Sequence, residues 1–222
     1  MRRREFTVAL SLPLVPMAAS ASLSEGDAAA GVRAALERGA LAAVALLGQA
    51  DGFLGNPKVR IPLPGFLEDA ARLLKFAGQG HRVDELIVAM NRAAEDAVPA
   101  AKALFVQTAK AMSVGDALKV VRGGSTSVTD YFAARTRLPL GEQFLPIVTR
   151  STQKVSLAKR YNAVAGKAAR LGLVKGDASN VEQYVTGRAL DGLYLMIGEE
   201  EMKIRADPIK TGSAILKKVF GG

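Results

Sequence analysis

The sequence predicts an all-α protein: a single compact helical domain of about seven to eight helices with a short extended, proline-containing strap, preceded by a cleaved signal peptide. Three observations carry this. Ala, Leu, Lys, Arg and Glu, all strong helix formers, dominate the 222 residues. Apolar residues recur at steps of three and four along most of the chain. Strands do not alternate with helices, so a nucleotide-binding βαβ layout finds no support. With 49% apolar and 23% charged residues the chain has the balance of a folded protein, and its 5% aromatics point to a core of Ala, Leu, Val and Ile.

Taken in order, Arg2, Arg3 and Arg4 open the chain with positive charge. Thr7 to Met17 is apolar, loosened by Pro13 and Pro16, and too short to span a bilayer as a permanent helix. Ala19 and Ala21 then fit the small-residue rule for signal peptidase. Residues 1–21 therefore read as a signal peptide cleaved after Ala21, leaving a single α-helical domain over 22–222 in the periplasm. Arg3-Arg4-Glu5-Phe6 resembles the twin-arginine export motif, with the general secretory route as the alternative. With no cysteine near the cleavage site, a lipid anchor is not expected.

Asp27 to Ala50 carries Val32, Leu36, Ala40, Val44 and Leu47 at helical spacing. Asp51-Gly52 through Asn56-Pro57 breaks the pattern. Lys58 to Pro64 alternates apolar and polar residues, with prolines that forbid a central strand, and reads as a strap laying Val59, Ile61 and Leu63 on the helices. Phe66 to Phe76 is a short helix, and His81 falls in the polar connection after it. Val83 to Met112 is a long helical pattern with a break expected near Ala97, before Pro99. Ser113 caps a helix over Val114 to Val121, ended by Gly123-Gly124. Thr126 or Ser127 caps a short helix through Tyr131 and Phe132. Pro139 and Gly141 precede a long pattern from Glu142 to Leu171, Ala178 to Arg205 forms the next long helix, and Thr211 to Val219 the last.

The absence of cysteine excludes disulfides, thiolate metal sites and cysteine nucleophiles, and the single histidine excludes His-rich metal sites. No nucleophile–base set is recognisable, so no catalytic residues are named and no cofactor is expected. The formal charge of +9 falls to +7 without residues 1–21 and draws the protein toward anionic surfaces. Its Lys and Arg residues are interspersed with acids, without the aromatic-interleaved runs that bind single strands, so no nucleic acid is expected. The basic amphipathic segment Lys210 to Phe220 allows at most peripheral membrane contact.

Several segments together resemble a bacterial exported-protein family called domain of unknown function 4197 (DUF4197). They are Asp51-Gly52-Phe53 with Ile61-Pro62-Leu63-Pro64, Met90-Asn91-Arg92-Ala93-Ala94-Glu95, and Gly115-Asp116-Ala117. Tyr184-Val185-Thr186 through Leu193, Glu200-Glu201 with Ile204-Arg205 and Pro208, and Leu216 to Phe220 complete the set. The resemblance implies an exported helical protein and supplies no catalytic residues. Members commonly carry a cysteine after the signal, and this chain departs there.

One set of polar residues stands out. Asn91, Arg92 and Glu95 lie three and four apart on one helix. Leu190, Leu193, Ile197 and Ile204 form an apolar stripe, and Glu200 and Glu201 fall where it should continue. One of the two must turn toward the core and needs a partner, Arg92 or Arg205, with Asp191 and Arg188 able to join. Such a cluster is either an ion-pair network locking two helices, or a carboxylate site for acid–base work or for Ca²⁺ or Mg²⁺ around Glu95 and Glu200. Gly123-Gly124-Ser125-Thr126-Ser127 before a helix start reads either as capping or as an anion site. Alanine-rich helices bent at Pro99 and Pro146 can leave a groove for an apolar small molecule, or close into a dense core. The expected partners are accordingly an apolar ligand or an envelope protein.

Export predicts a mature N-terminus at Ser22 in the periplasmic fraction, read by mass spectrometry of the intact protein. Full-length protein confined to the cytosol would contradict it, and replacing Arg3 and Arg4 by lysine should stop export only if the twin-arginine route is used.

Overall fold

Several helices start where a side chain can satisfy a free amide. Ser24 accepts the Asp27 N–H at 3.1 Å and opens α1, Glu25–Leu47. Ser113 does the same for Asp116 at 3.1 Å and opens α5, Val114–Val121. The computed structural model describes residues 24–153, 158–159, 161–162 and 180–221. The expected signal peptide lies outside them, as does most of the expected helical stretch beyond Thr152.

After α1 the chain turns sharply. Asp51 takes a left-handed conformation at φ 64°, and a Cβ on Gly52 would lie 2.6 Å from the Leu46 and Leu47 carbonyl oxygens. Only glycine fits there. The strap follows as expected, with Val59 and Ile61 buried and Leu63 partly so. A 3-10 turn at Gly65–Leu67 leads into α2, Glu68–Phe76, and α3 spans Gly80–Ala97. His81 is an exposed residue of the first turn of α3 and not part of a connection. The break before Pro99 is a 3-10 turn at Val98–Ala100, after which α4 runs Ala101–Ala111.

The sixth helix departs from the sequence reading. In place of a short helix and a later start at Glu142, α6 runs unbroken from Ser127 to Thr152 through Pro139, Gly141 and Pro146. Each proline removes one helical hydrogen bond, freeing the carbonyls of Arg135 and Glu142, and both of those residues are exposed. Meanwhile Val128, Phe132, Thr136, Leu140, Phe144, Val148 and Thr152 are all buried at four-residue steps. Burial of that stripe outweighs two bonds lost on the solvent side. The next helix, α7, spans Val181–Ala206 and is capped by Asn180, which accepts the Gln183 N–H at 2.7 Å. The last, α8, is Ala214–Phe220 and not Thr211–Val219, because Gly212 at φ 68° separates it from a 3-10 turn at Ile209–Thr211.

Among the described residues there is no strand, and α7 lies against α1, α3 and α6. Phe53, Phe105, Phe132 and Phe144 are fully buried, the rings of Phe105 and Phe132 meeting at 4.7 Å. Ala93, Ala94, Ala97 and Ala101 have no exposed surface, so the small side chains serve close helix approach around these rings. The C-terminal helix packs on α1 with Leu216 and Val219 buried, which commits its apolar face to the domain and not to lipid.

The strap docks directly on α7 at Gly192, where a Cβ would lie 2.8 Å from the Phe53 ring and 3.1 Å from Val59 Cβ. Gly192→Ala should therefore destabilise by about 1–3 kcal/mol through overpacking. Gly115→Ala, on α5 with nothing within 4 Å of the added carbon, should be neutral or mildly stabilising. Urea unfolding of the two variants checks the contrast.

Candidate functional site

The polar residues singled out in the sequence fall into two separate buried clusters, with Glu200 and Asp191 in neither. The first is built on α3. Asn91 is fully buried, and its Oδ1 accepts the Ile61 N–H at 2.8 Å while its Nδ2 donates to the Ile61 carbonyl at 3.0 Å. A second bond from Nδ2 reaches the Ile87 carbonyl at 2.8 Å. The amide thus treats the strap as a neighbouring strand would, pairing with both backbone groups of one residue. One turn on, Glu95 is 4% exposed. Its Oε1 accepts the N–H groups of Phe53 and Leu54 at 3.0 and 3.1 Å. Its other oxygen takes the Arg92 guanidinium at 2.6 Å, and Arg92 also binds Asp51 at 2.7 Å. Glu95, and then Asp51, hold Arg92 above its ordinary pKa.

The second cluster joins α7 to the start of α6. Glu201 is 3% exposed. Its Oε1 accepts the Val128 N–H at 3.0 Å, and its Oε2 the Thr129 N–H and hydroxyl at 2.8 and 2.7 Å. Arg205, one turn along α7, donates from Nε to Oε1 at 2.9 Å. The rest of the guanidinium reaches the Val120 and Val121 carbonyls and the Ser127 hydroxyl, at 3.3, 3.4 and 3.0 Å, and its carbon lies 4.9 Å from the Phe220 ring centre. One ion pair therefore puts an anion on the N-terminus of α6 and a cation on the last carbonyls of α5, each where the helix dipole favours it.

This arrangement decides between the readings of Gly123 to Ser127. The amides that would hold an outside anion at the α6 N-terminus are taken by Glu201. Sequence reasoning did not name Thr129, Ser127 or Asp51 as members of the clusters. Glu201 and Thr129 are 72 residues apart, and no local pattern signals such a pairing.

The remaining residues lie elsewhere. Glu200 is partly exposed and pairs with Lys203 at 2.6 Å. Asp191 is half exposed and pairs with Arg137 and, at 3.9 Å, with Arg188. Glu95 and Glu200 share no partner, so a joint carboxylate centre around them is not what the geometry provides. Among the described residues no group of three His, Asp or Glu side chains is placed to hold a metal ion. Glu95 and Glu201 instead spend their oxygens on backbone amides and arginine.

Between the middle of α6 and the first half of α7 the described residues leave a mainly apolar groove of about 530 Å³. Ala134, Leu138, Gly141 and Leu145 line it from α6 and Gly187 and Leu190 from α7, with the polar Arg137, Glu142, Gln183 and Thr186 also in the lining. Leu138 stands at its mouth with 77% of its surface exposed.

Comparison with family models matches residues 22–221 to a family described as protein of unknown function (DUF4197). No curated protein and no solved structure matches the chain.

Glu201→Ala removes four accepted hydrogen bonds and strands Arg205, and should cost about 3–5 kcal/mol. Glu200→Ala should stay within about 0.5 kcal/mol of the parent, as exposed pairs do. Chemical unfolding that gave equal, small losses for both would contradict the capping role.

Proposed function

The chain belongs to the family described as protein of unknown function (DUF4197), and on that premise we propose an exported, non-catalytic binding protein that holds an apolar molecule between α6 and α7. The observation that carries this reading is the groove itself. Its volume of about 530 Å³ falls within the roughly 300–1,000 Å³ of small-ligand sites. Its walls are mostly alanine, glycine and leucine, with Arg137, Glu142, Gln183 and Thr186 also in the lining. That mix suits a molecule with a largely apolar body and a polar group.

Two further points support it. The buried carboxylates, the natural candidates for acid–base work, are occupied as helix and loop caps, which favours binding over catalysis. The charge–apolar–small order of residues 2–21 supports delivery to the periplasm, where apolar cargo needs a carrier between membranes.

Ala134 is exposed in the groove wall, so Ala134→Phe should fill the site without disturbing the core. Lipid extraction and native mass spectrometry of periplasmic protein should find an apolar molecule on the parent chain and not on the variant, with the melting temperature of the ligand-free protein unchanged between them. A parent protein that is repeatedly empty, and that no added lipid stabilises, would sink the reading.

A further inference from the structure

The polar groups that line the groove between α6 and α7 are unequally matched. Arg137 is already bonded to Asp191 at 2.5 Å, and Gln183 has a partner within the chain. Thr186 is 7% exposed, and its hydroxyl is closed off from solvent. Glu142 differs from all three. It is an exposed residue of the same lining, and among the described residues its carboxylate has no ion-pair or hydrogen-bond partner. Its backbone carbonyl is free as well, because Pro146, four residues on, has no N–H to donate. One residue of a mainly apolar lining thus presents two unmatched acceptors, and its side chain carries no donor.

Resting on the reading that an apolar molecule fills this groove, we propose that the polar group of that molecule is a cationic amine that meets Glu142. Solvent satisfies exposed acceptors of this kind until a ligand covers them. A ligand that displaces the water without supplying a donor leaves a desolvated carboxylate and carbonyl, which is unfavourable. An ammonium group replaces the lost bonds with charge-assisted ones to the carboxylate, and it has further N–H groups for the carbonyl. A hydroxyl brings one donor and no charge. A carboxylate headgroup brings a like charge to Glu142 and finds Arg137 already neutralised by Asp191. The selection is local, since the overall charge of +9 favours anions at long range.

Calorimetric titration of the protein with decylamine, decanol and decanoate, which share one alkyl chain, tests the choice of headgroup. Decylamine should bind roughly threefold to tenfold more tightly than either of the others, and raised salt should narrow the gap. Glu142→Gln removes a charge at an exposed, unpaired position, so folding should be untouched. In that variant decylamine should bind no better than decanol, and decanol should bind as it does to the parent. Glu200→Gln, which removes a carboxylate paired with Lys203 outside this groove, should change nothing. Decanol or decanoate binding the parent as tightly as decylamine, or a decylamine preference that survives Glu142→Gln, would overturn the proposal and leave the groove reading standing. No binding by any of the three probes, or undiminished binding to Ala134→Phe, would overturn both.

Discussion

A carboxylate can be buried only where hydrogen bonds replace the water it has lost, and Glu201 meets that condition by acting as the N-terminal cap of a helix far away in sequence. The α6 start has little of its own to offer, since Thr126 makes no side-chain cap bond to its amides. The helix that carries the fully buried Phe132 and Phe144 is thus anchored by a residue of α7. Because Arg205 also gathers the carbonyls at the end of α5 and lies against Phe220 of α8, four helices are fixed relative to one another at one point.

The same device recurs at the other buried acid. Glu95 caps the turn at Phe53 and Leu54, and Asn91 pairs with Ile61 of the strap. The polar face of α3 therefore holds two stretches of irregular chain whose prolines and tight turn keep them out of a helix or sheet. Tyr184 adds a bond from its hydroxyl to the Pro62 carbonyl at 3.0 Å, so α7 clasps the strap from the other side. With the strap fixed, Phe53 and Val59 close over Gly192 and complete the core. Polar residues placed this deep look like a reaction site in sequence; in three dimensions they replace the backbone pairing that these segments lack.

With the carboxylates of Glu95 and Glu201 spent on internal caps, the open features of the described residues lie at the surface. Among them the groove between α6 and α7 is lined mainly by apolar side chains, as suits a ligand that is mostly covered.

The sequence by itself determined the helical class, the break before Pro99, the strap, the Ser113 cap, and the rule that one of Glu200 and Glu201 must turn inward. All follow from local chemistry: periodicity, ring geometry at proline, and the short reach of a serine to its own helix. It also led to a false start for α6, because Pro139 and Gly141 read locally as a break, while the burial that overrides them depends on a stripe of contacts with other helices. Only the tertiary structure decided that Glu95 and Glu201 serve different ends of the molecule, and that Asp191 belongs to neither. Which amides a carboxylate meets is set by helix packing across 72 residues of chain, and no spacing within a single helix encodes that partner.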